Sequence, residues 1–200
     1  MGIITKILKQ TDNKFLNLYK LERENETGKL NDYFMASRVM EIENLKIHTH
    51  DEHADGIIIY ALYEDKIVLI RQFRYPLNAY VYEFPAGLVD EGEDMFHAGV
   101  REFKEETGLE LEVLKVPDGF NRPFYMSVGM TDEACGTIYG YASGKISDAL
   151  QENSEEIEII LADKQEARRI LREENVAIVC AYMLMHYINS DDPFAFLKEA

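Results

Sequence analysis

Residues 87–109 read GLVDEGEDMFHAGVREFKEETGL, and their seven carboxylates stand against only two full positive charges, Arg101 and Lys104. Like charges three and four apart on a helix repel by about a few tenths of a kcal/mol per pair, so this face is either solvated or receives a cation. At about 100° per residue, Phe96, Val100, Phe103 and Thr107 share one narrow face, which predicts the side that anchors the helix. Glu102, Glu105 and Glu106 fall within an arc of about 100° elsewhere on the circle. Glu102 and Glu106 are four apart, so their side chains lie one above the other and bracket a single ion. Carboxylate oxygens are hard ligands with no Cys/His set beside them, which points to Mg2+, with Mn2+ as the alternative, rather than zinc. Magnesium keeps waters and shares its coordination with substrate phosphates, so phosphate-ester or pyrophosphate chemistry follows.

Working outward, a helix is predicted from about Asp94 to Thr107, with Gly108 at C′ and Leu109 packing back on the last turn. Upstream, AYVYEFPAGLVDEGED is a strand running into a Pro85/Gly87 loop. Before it, GIIIYALY and KIVLIRQFRY are continuous apolar runs around a Glu64-Asp65 turn, the pattern of buried strands. From about residue 14 to 46, two aromatic and β-branched runs flank Glu-Asn-Glu-Thr-Gly-Lys, which predicts an antiparallel hairpin in a small N-terminal sheet. Further strands are expected at 111–116, 124–128, 134–142 and 156–161. Two helices follow, one beginning near Asp163 with Glu166 placed as in a capping box, the other after Asn175. The fold class is α/β, an α/β/α sandwich around a mixed β-sheet without the regular alternation of a doubly wound fold.

The chain of 200 residues, 46% apolar, suffices for a sizeable core. A formal charge of −16 argues against nucleic-acid or anionic-membrane partners, both of which require a basic surface. Cys135 and Cys180 have no zinc-ligand spacing and read as reduced thiols of a cytoplasmic protein. The N-terminal residues do not form a signal peptide, and the apolar stretch at 176–188 is shorter than the roughly 20 residues of a spanning helix.

Gly87, five residues, Glu93, seven residues, then Arg101-Glu102-Phe103-Lys104-Glu105-Glu106-Thr107-Gly108-Leu109 match the Nudix box throughout. By ordinary residue usage, nine specified positions at fixed spacing arise by chance roughly once in a billion starts. The resemblance implies a Nudix-type sandwich and a hydrolase of nucleoside diphosphates linked to another group. It implies Glu102 and Glu106 as the main metal ligands and Glu105 as a further ligand or water-holding catalytic carboxylate. It also implies structural roles for Gly87, Glu93, Arg101 and Gly108, with Arg101 tethering acidic groups and Glu93 bracing the loop.

The segment at 71–93, RQFRYPLNAYVYEFPAGLVDEGE, is similar to the ADP-ribose and ADP-sugar pyrophosphatase subfamily, as is an N-terminal β subdomain ahead of the catalytic domain. That likeness implies a subdomain at 1–50 used for dimerisation and a hydrolase domain at 51–200. By the same resemblance the Ala86 carbonyl binds metal, Arg74 contacts substrate and Glu83 lies close to it. The loop SVGMTDE at 127–133 resembles the one that carries the catalytic base, assigned to Glu133; Val128 stands where that loop's marker proline is expected. The expected reaction is hydrolysis of ADP-ribose or an ADP-sugar to AMP plus sugar phosphate, with two or more Mg2+ ions per site and a homodimer formed through the N-terminal strands.

Arg38 is a further candidate for phosphate or ribose contacts. Phe15 and Tyr33 are candidates for stacking a base, weighed against packing or hairpin support. His48, His50 and His53 in HTHDEH lack a helical i, i+4 pair and read as a polar loop rather than a metal site. Alternatives are GDP-mannose or NADH as substrate, and a non-catalytic ligand sensor of the same fold.

Overall fold

A computed structural model describes residues 2–117, 119–120, 122–151 and 156–198. The chain divides into two compact units, the first made of residues up to Asp55 together with Pro123–Cys135, the second of Gly56–Arg122 and Gly136 onward.

In the first unit, β1 (Ile3–Lys9), β2 (Asn17–Glu24) and β3 (Leu30–Ser37) form an antiparallel sheet in that order. The expected hairpin is β2–β3, in register from Asn17↔Ser37 to Glu24↔Leu30. Asn25 organises its turn, accepting from the Thr27 and Lys29 amides through Oδ1. Tyr19, Leu21, Met35 and Leu45 form the core of this unit. After β3 comes the short helix α1 (Lys46–Thr49).

The second unit is built on a sheet with strand order β11-β5-β4-β10-β8. Its first strands are β4 (Gly56–Tyr63), β5 (Lys66–Arg74), β6 (Ala79–Glu83) and β7 (Ala86–Leu88). Helix α2 (Met95–Thr107) and β8 (Glu110–Val113) follow. The two-residue strand β9 (Phe124–Tyr125) belongs to the first unit and pairs with Ala134 and Cys135, the opening of β10 (Ala134–Ser143). The chain then forms β11 (Ile157–Ala162), α3 (Lys164–Glu173) and α4 (Ile178–Asn189).

Alternation along β4 sends Ile57, Ile59 and Ala61 into one layer with Val68, Ala98, Phe103, Leu109 and Ile138. It sends Tyr60 into the other, where its ring meets Phe84, Tyr139 and Phe194 edge-on. Helix α2 therefore covers one face, while the C-terminal segment covers the other, giving the expected α/β/α sandwich with a mixed sheet.

Three expectations need correction. Residues 86–88 are strand rather than loop, paired with β4 through Ile58↔Ala86, Ile57↔Gly87 and Gly56↔Leu88. Helix α3 is capped by Asp163 accepting from the Glu166 amide, but the Glu166 carboxylate turns to Arg169 instead of completing the box. On α2 the buried residues are Ala98, Gly99, Phe103, Glu106 and Thr107, while Phe96 and Val100 are exposed. The buried arc is rotated by about 65° from the expected one. Gly99 explains the rotation: a Cβ there would stand 2.7 Å from Ile138 Cγ1, so the helix lies close on β10 by its smallest residues.

Candidate active site

Helix α2 is delimited by local chemistry. Asp94 accepts from the amides of Phe96 and His97, and Gly108 ends the helix at φ 71°, in the left-handed region where a side chain is strained. The rotation of α2 turns Glu102 and Glu106 toward protein. Glu106 is only 3% exposed, and its Oε2 accepts the Ala86 N–H at 3.1 Å. Glu102 lies against Gly87, where a Cβ would fall 2.0 Å from its Cδ. The pairing of β7 with β4 thus sets the backbone at 86–87 directly against two carboxylates of the helix.

Arg101 organises the rest. Its guanidinium donates to both oxygens of Glu93 at 3.2 and 2.8 Å, to Glu102 Oε1 at 2.8 Å, to Glu105 Oε2 at 3.2 Å and to the Leu88 carbonyl at 3.2 Å. These bonds hold the Glu93 carboxyl below the usual carboxylate range and the guanidinium firmly charged. The sixteen positions from Gly87 to Glu102 therefore close into one linked loop and helix through Arg101 and the Gly87 contact.

On the neighbouring strands, Arg74 and Glu83 make a two-pronged pair at 2.7 Å for each bond, with Glu83 the more buried partner. In the first unit, Arg38 Nε donates to Glu133 Oε1 at 3.1 Å. The Tyr33 hydroxyl donates to the Gly129 carbonyl, and Phe15 is exposed with Lys14 over its ring. Burial, then the Glu133 and Asp55 charges, push the Cys135 thiol up to about 11, which leaves it un-ionised at neutral pH.

The family model for the NUDIX domain matches residues 52–178. The chain belongs to the Nudix family. It is 33% identical over 125 residues to an ADP-ribose pyrophosphatase of Saccharomyces cerevisiae, a match covering 60% of this chain and 52% of that protein. The Nudix chain thus spans about half the length of the yeast relative. It is 25% identical over 154 residues to an ADP-ribose pyrophosphatase of Bacillus subtilis, covering 75% of this chain and 80% of that one. A crystal structure of an ADP compounds hydrolase superposes with TM-score 0.63 at 16% identity, covering 86% of this chain and 83% of that one, and shares the fold.

Within this Nudix fold the donors at the 86–87 backbone suit a hard divalent ion. Glu102 and Glu106 offer carboxylate oxygens, and glycine at 87 leaves the space in which Glu102 sits. Among the described residues, no three His, Cys, Asp or Glu side chains converge on one metal-sized point; Glu102 and Glu105 are instead gathered around Arg101. No helix among the described residues is long and apolar enough to cross a membrane.

Proposed function

We propose that the protein is a Mg2+-dependent hydrolase that cleaves the pyrophosphate of ADP-ribose or an ADP-sugar to AMP plus sugar phosphate. The seating of Glu102 against Gly87 and of Glu106 against the Ala86 amide supports this reading, because it brings two carboxylates of the helix to the backbone of residues 86–87 on a paired strand. The relatives named ADP-ribose pyrophosphatase in yeast and Bacillus subtilis support the choice of substrate.

Two or more Mg2+ ions would be held by Glu102, Glu105, Glu106 and the Ala86 carbonyl; when bound they neutralise the diphosphate, polarise phosphorus and lower the pKa of a bound water. Mn2+ is the alternative ion. A chain of formal charge −16 would otherwise repel a dianionic substrate. Arg101 holds the box together, and Glu93 anchors Arg101. Glu83 fixes the plane of the Arg74 guanidinium, and Arg74 contacts phosphate or ribose. Arg38 makes the second substrate contact. Glu133 takes the proton of the attacking water as its oxygen bonds to phosphorus and the bridging P–O bond breaks.

The N-terminal subdomain at 1–50 serves dimerisation and the remainder of the chain hydrolysis. Ile3, Phe15, Leu30 and Phe34 are more than half exposed, which supports a homodimer through the N-terminal strands. The two free cysteines support a cytoplasmic location.

The test is a panel of ADP-ribose, an ADP-sugar, GDP-mannose and NADH with Mg2+, read by release of AMP or GMP. The proposal expects ADP-ribose or the ADP-sugar to be turned over fastest. Faster release from GDP-mannose or NADH reassigns the substrate, and no turnover of any member favours a ligand sensor.

A further inference from the structure

The base assigned above sits on a loop whose supports lie within the first unit. Along its near side, the Tyr33 hydroxyl donates to the Gly129 carbonyl at 2.6 Å and the Ala36 amide to the Met130 carbonyl at 2.8 Å. The Ser37 hydroxyl donates to Asp132 Oδ2 at 3.1 Å, and Ala36 bridges Thr131 in parallel. Strand β3 is therefore the rail on which residues 129–132 rest.

At its far side the loop is gripped by Asp55. The Asp55 amide donates to the Ala134 carbonyl at 2.8 Å, and Asp55 Oδ2 accepts the Ala134 amide at 2.7 Å. The same Oδ2 accepts from Lys46 Nζ at 2.6 Å, and Lys46 also donates to the His53 carbonyl at 2.9 Å. The Lys46 side chain is 10% exposed and that of Asp55 24%, so the pair is largely withdrawn from water.

A withdrawn ion pair is weak support for stability, because desolvation offsets its attraction; its surer product is geometry. The Ala134 N–H and the Glu133 C=O belong to one planar peptide group. Asp55 holds the N–H of that plane, and the Met126 amide holds its C=O at 3.0 Å. The plane on one side of the Glu133 Cα is thereby pinned at both ends. The Glu133 amide on the other side donates to Thr131 Oγ1 at 3.3 Å.

We propose that Lys46 and Asp55 are positioning residues for Glu133: the ion pair clamps the Glu133–Ala134 peptide and so sets the direction in which the base leaves the backbone. The proposal rests on Glu133 being the general base. It assigns to α1 and the segment after it a function that the Nudix box does not contain.

The test measures kcat and KM with ADP-ribose and Mg2+ for wild type, Lys46→Met, Lys46→Arg, Asp55→Asn, Glu133→Gln and the double variant Lys46→Met/Glu133→Gln. A displaced catalytic group of this kind costs about 10- to 100-fold. Lys46→Met is expected to lower kcat by about that factor with KM within about twofold, and Lys46→Arg to restore most of the loss. In the Glu133→Gln background Lys46→Met is expected to cost nothing further. Amide exchange of residues 126–134 should quicken in Lys46→Met while that of α2 is unchanged. Should Lys46→Met not fold, Asp55→Asn takes its place in the cycle, since it too removes the ion pair, and the same loss is expected of it. An equal loss in both backgrounds, or no loss in the wild-type background, overturns the clamp. A Glu133→Gln enzyme as fast as wild type overturns the base assignment itself, and the clamp with it.

Discussion

Glu106, on the buried side of α2, accepts the Ala86 N–H at 3.1 Å, so the backbone of a sheet strand and the carboxylate of a helix twenty residues later define one point in space. The hydrogen bond ties one candidate metal ligand, on the helix, to the backbone N–H of the residue whose carbonyl is the other.

Gly87→Ala tests the cradle. The backbone at 87 is not in the left-handed region, so alanine is tolerated conformationally, but its Cβ would overlap Glu102, 2.0 Å from Cδ and 2.2 Å from Oε1. The Glu102 side chain must swing away, and about a 100-fold loss of kcat/KM is expected with little change in thermal midpoint. A large drop in midpoint with kcat/KM retained by the folded fraction would mean that the contact serves packing alone.

Tyr60→Phe tests the second layer. The Tyr60 hydroxyl is buried among Phe84, Tyr139 and Phe194 with no hydrogen-bond partner among the described residues, and burial raises its pKa. Removing an unsatisfied polar atom is expected to stabilise the protein by about 1 kcal/mol or more, seen as a rise of about 2–4 °C in the unfolding midpoint. Activity should be unchanged.

The Glu93–Arg101 bond predicts a pH dependence. The folded state lowers the Glu93 pKa from its ordinary 4.5, chiefly through the bond from Arg101. Its stabilisation is therefore complete above about 4.5 and is lost as pH falls through the lower folded value. Denaturation midpoints of wild type and Glu93→Gln, followed from neutral pH to pH 3, should converge in the acid range; parallel curves would contradict the assignment.

How far the fold was legible follows from the range of the interactions involved. The Asp94 cap, the Gly108 terminus, the Asp163 cap and the β2–β3 hairpin depend on neighbours a few residues away and were readable. The anchoring face of α2 was not, because hydrophobic periodicity gives weight to Phe96 and Val100 while the packing is decided by Gly99 meeting Ile138 thirty-nine positions on. Strand β7 has no local signal for the same reason, its partner being β4. In the candidate site, the spacing of Gly87, Arg101 and the glutamates was legible as a box. The grip of Asp55 on Ala134 was not, since it joins residues 79 apart with no local pattern.

The central claim is that Glu106 is a ligand for an essential divalent ion, and Glu106→Gln tests it most directly. The amide oxygen still accepts the Ala86 N–H, so the fold is kept while the charge is lost. Release of AMP from ADP-ribose is expected to fall by about 100-fold or more in the variant, and wild-type release to cease on chelation and return with Mg2+. Hydrolysis that survives both chelation and the substitution would contradict the account.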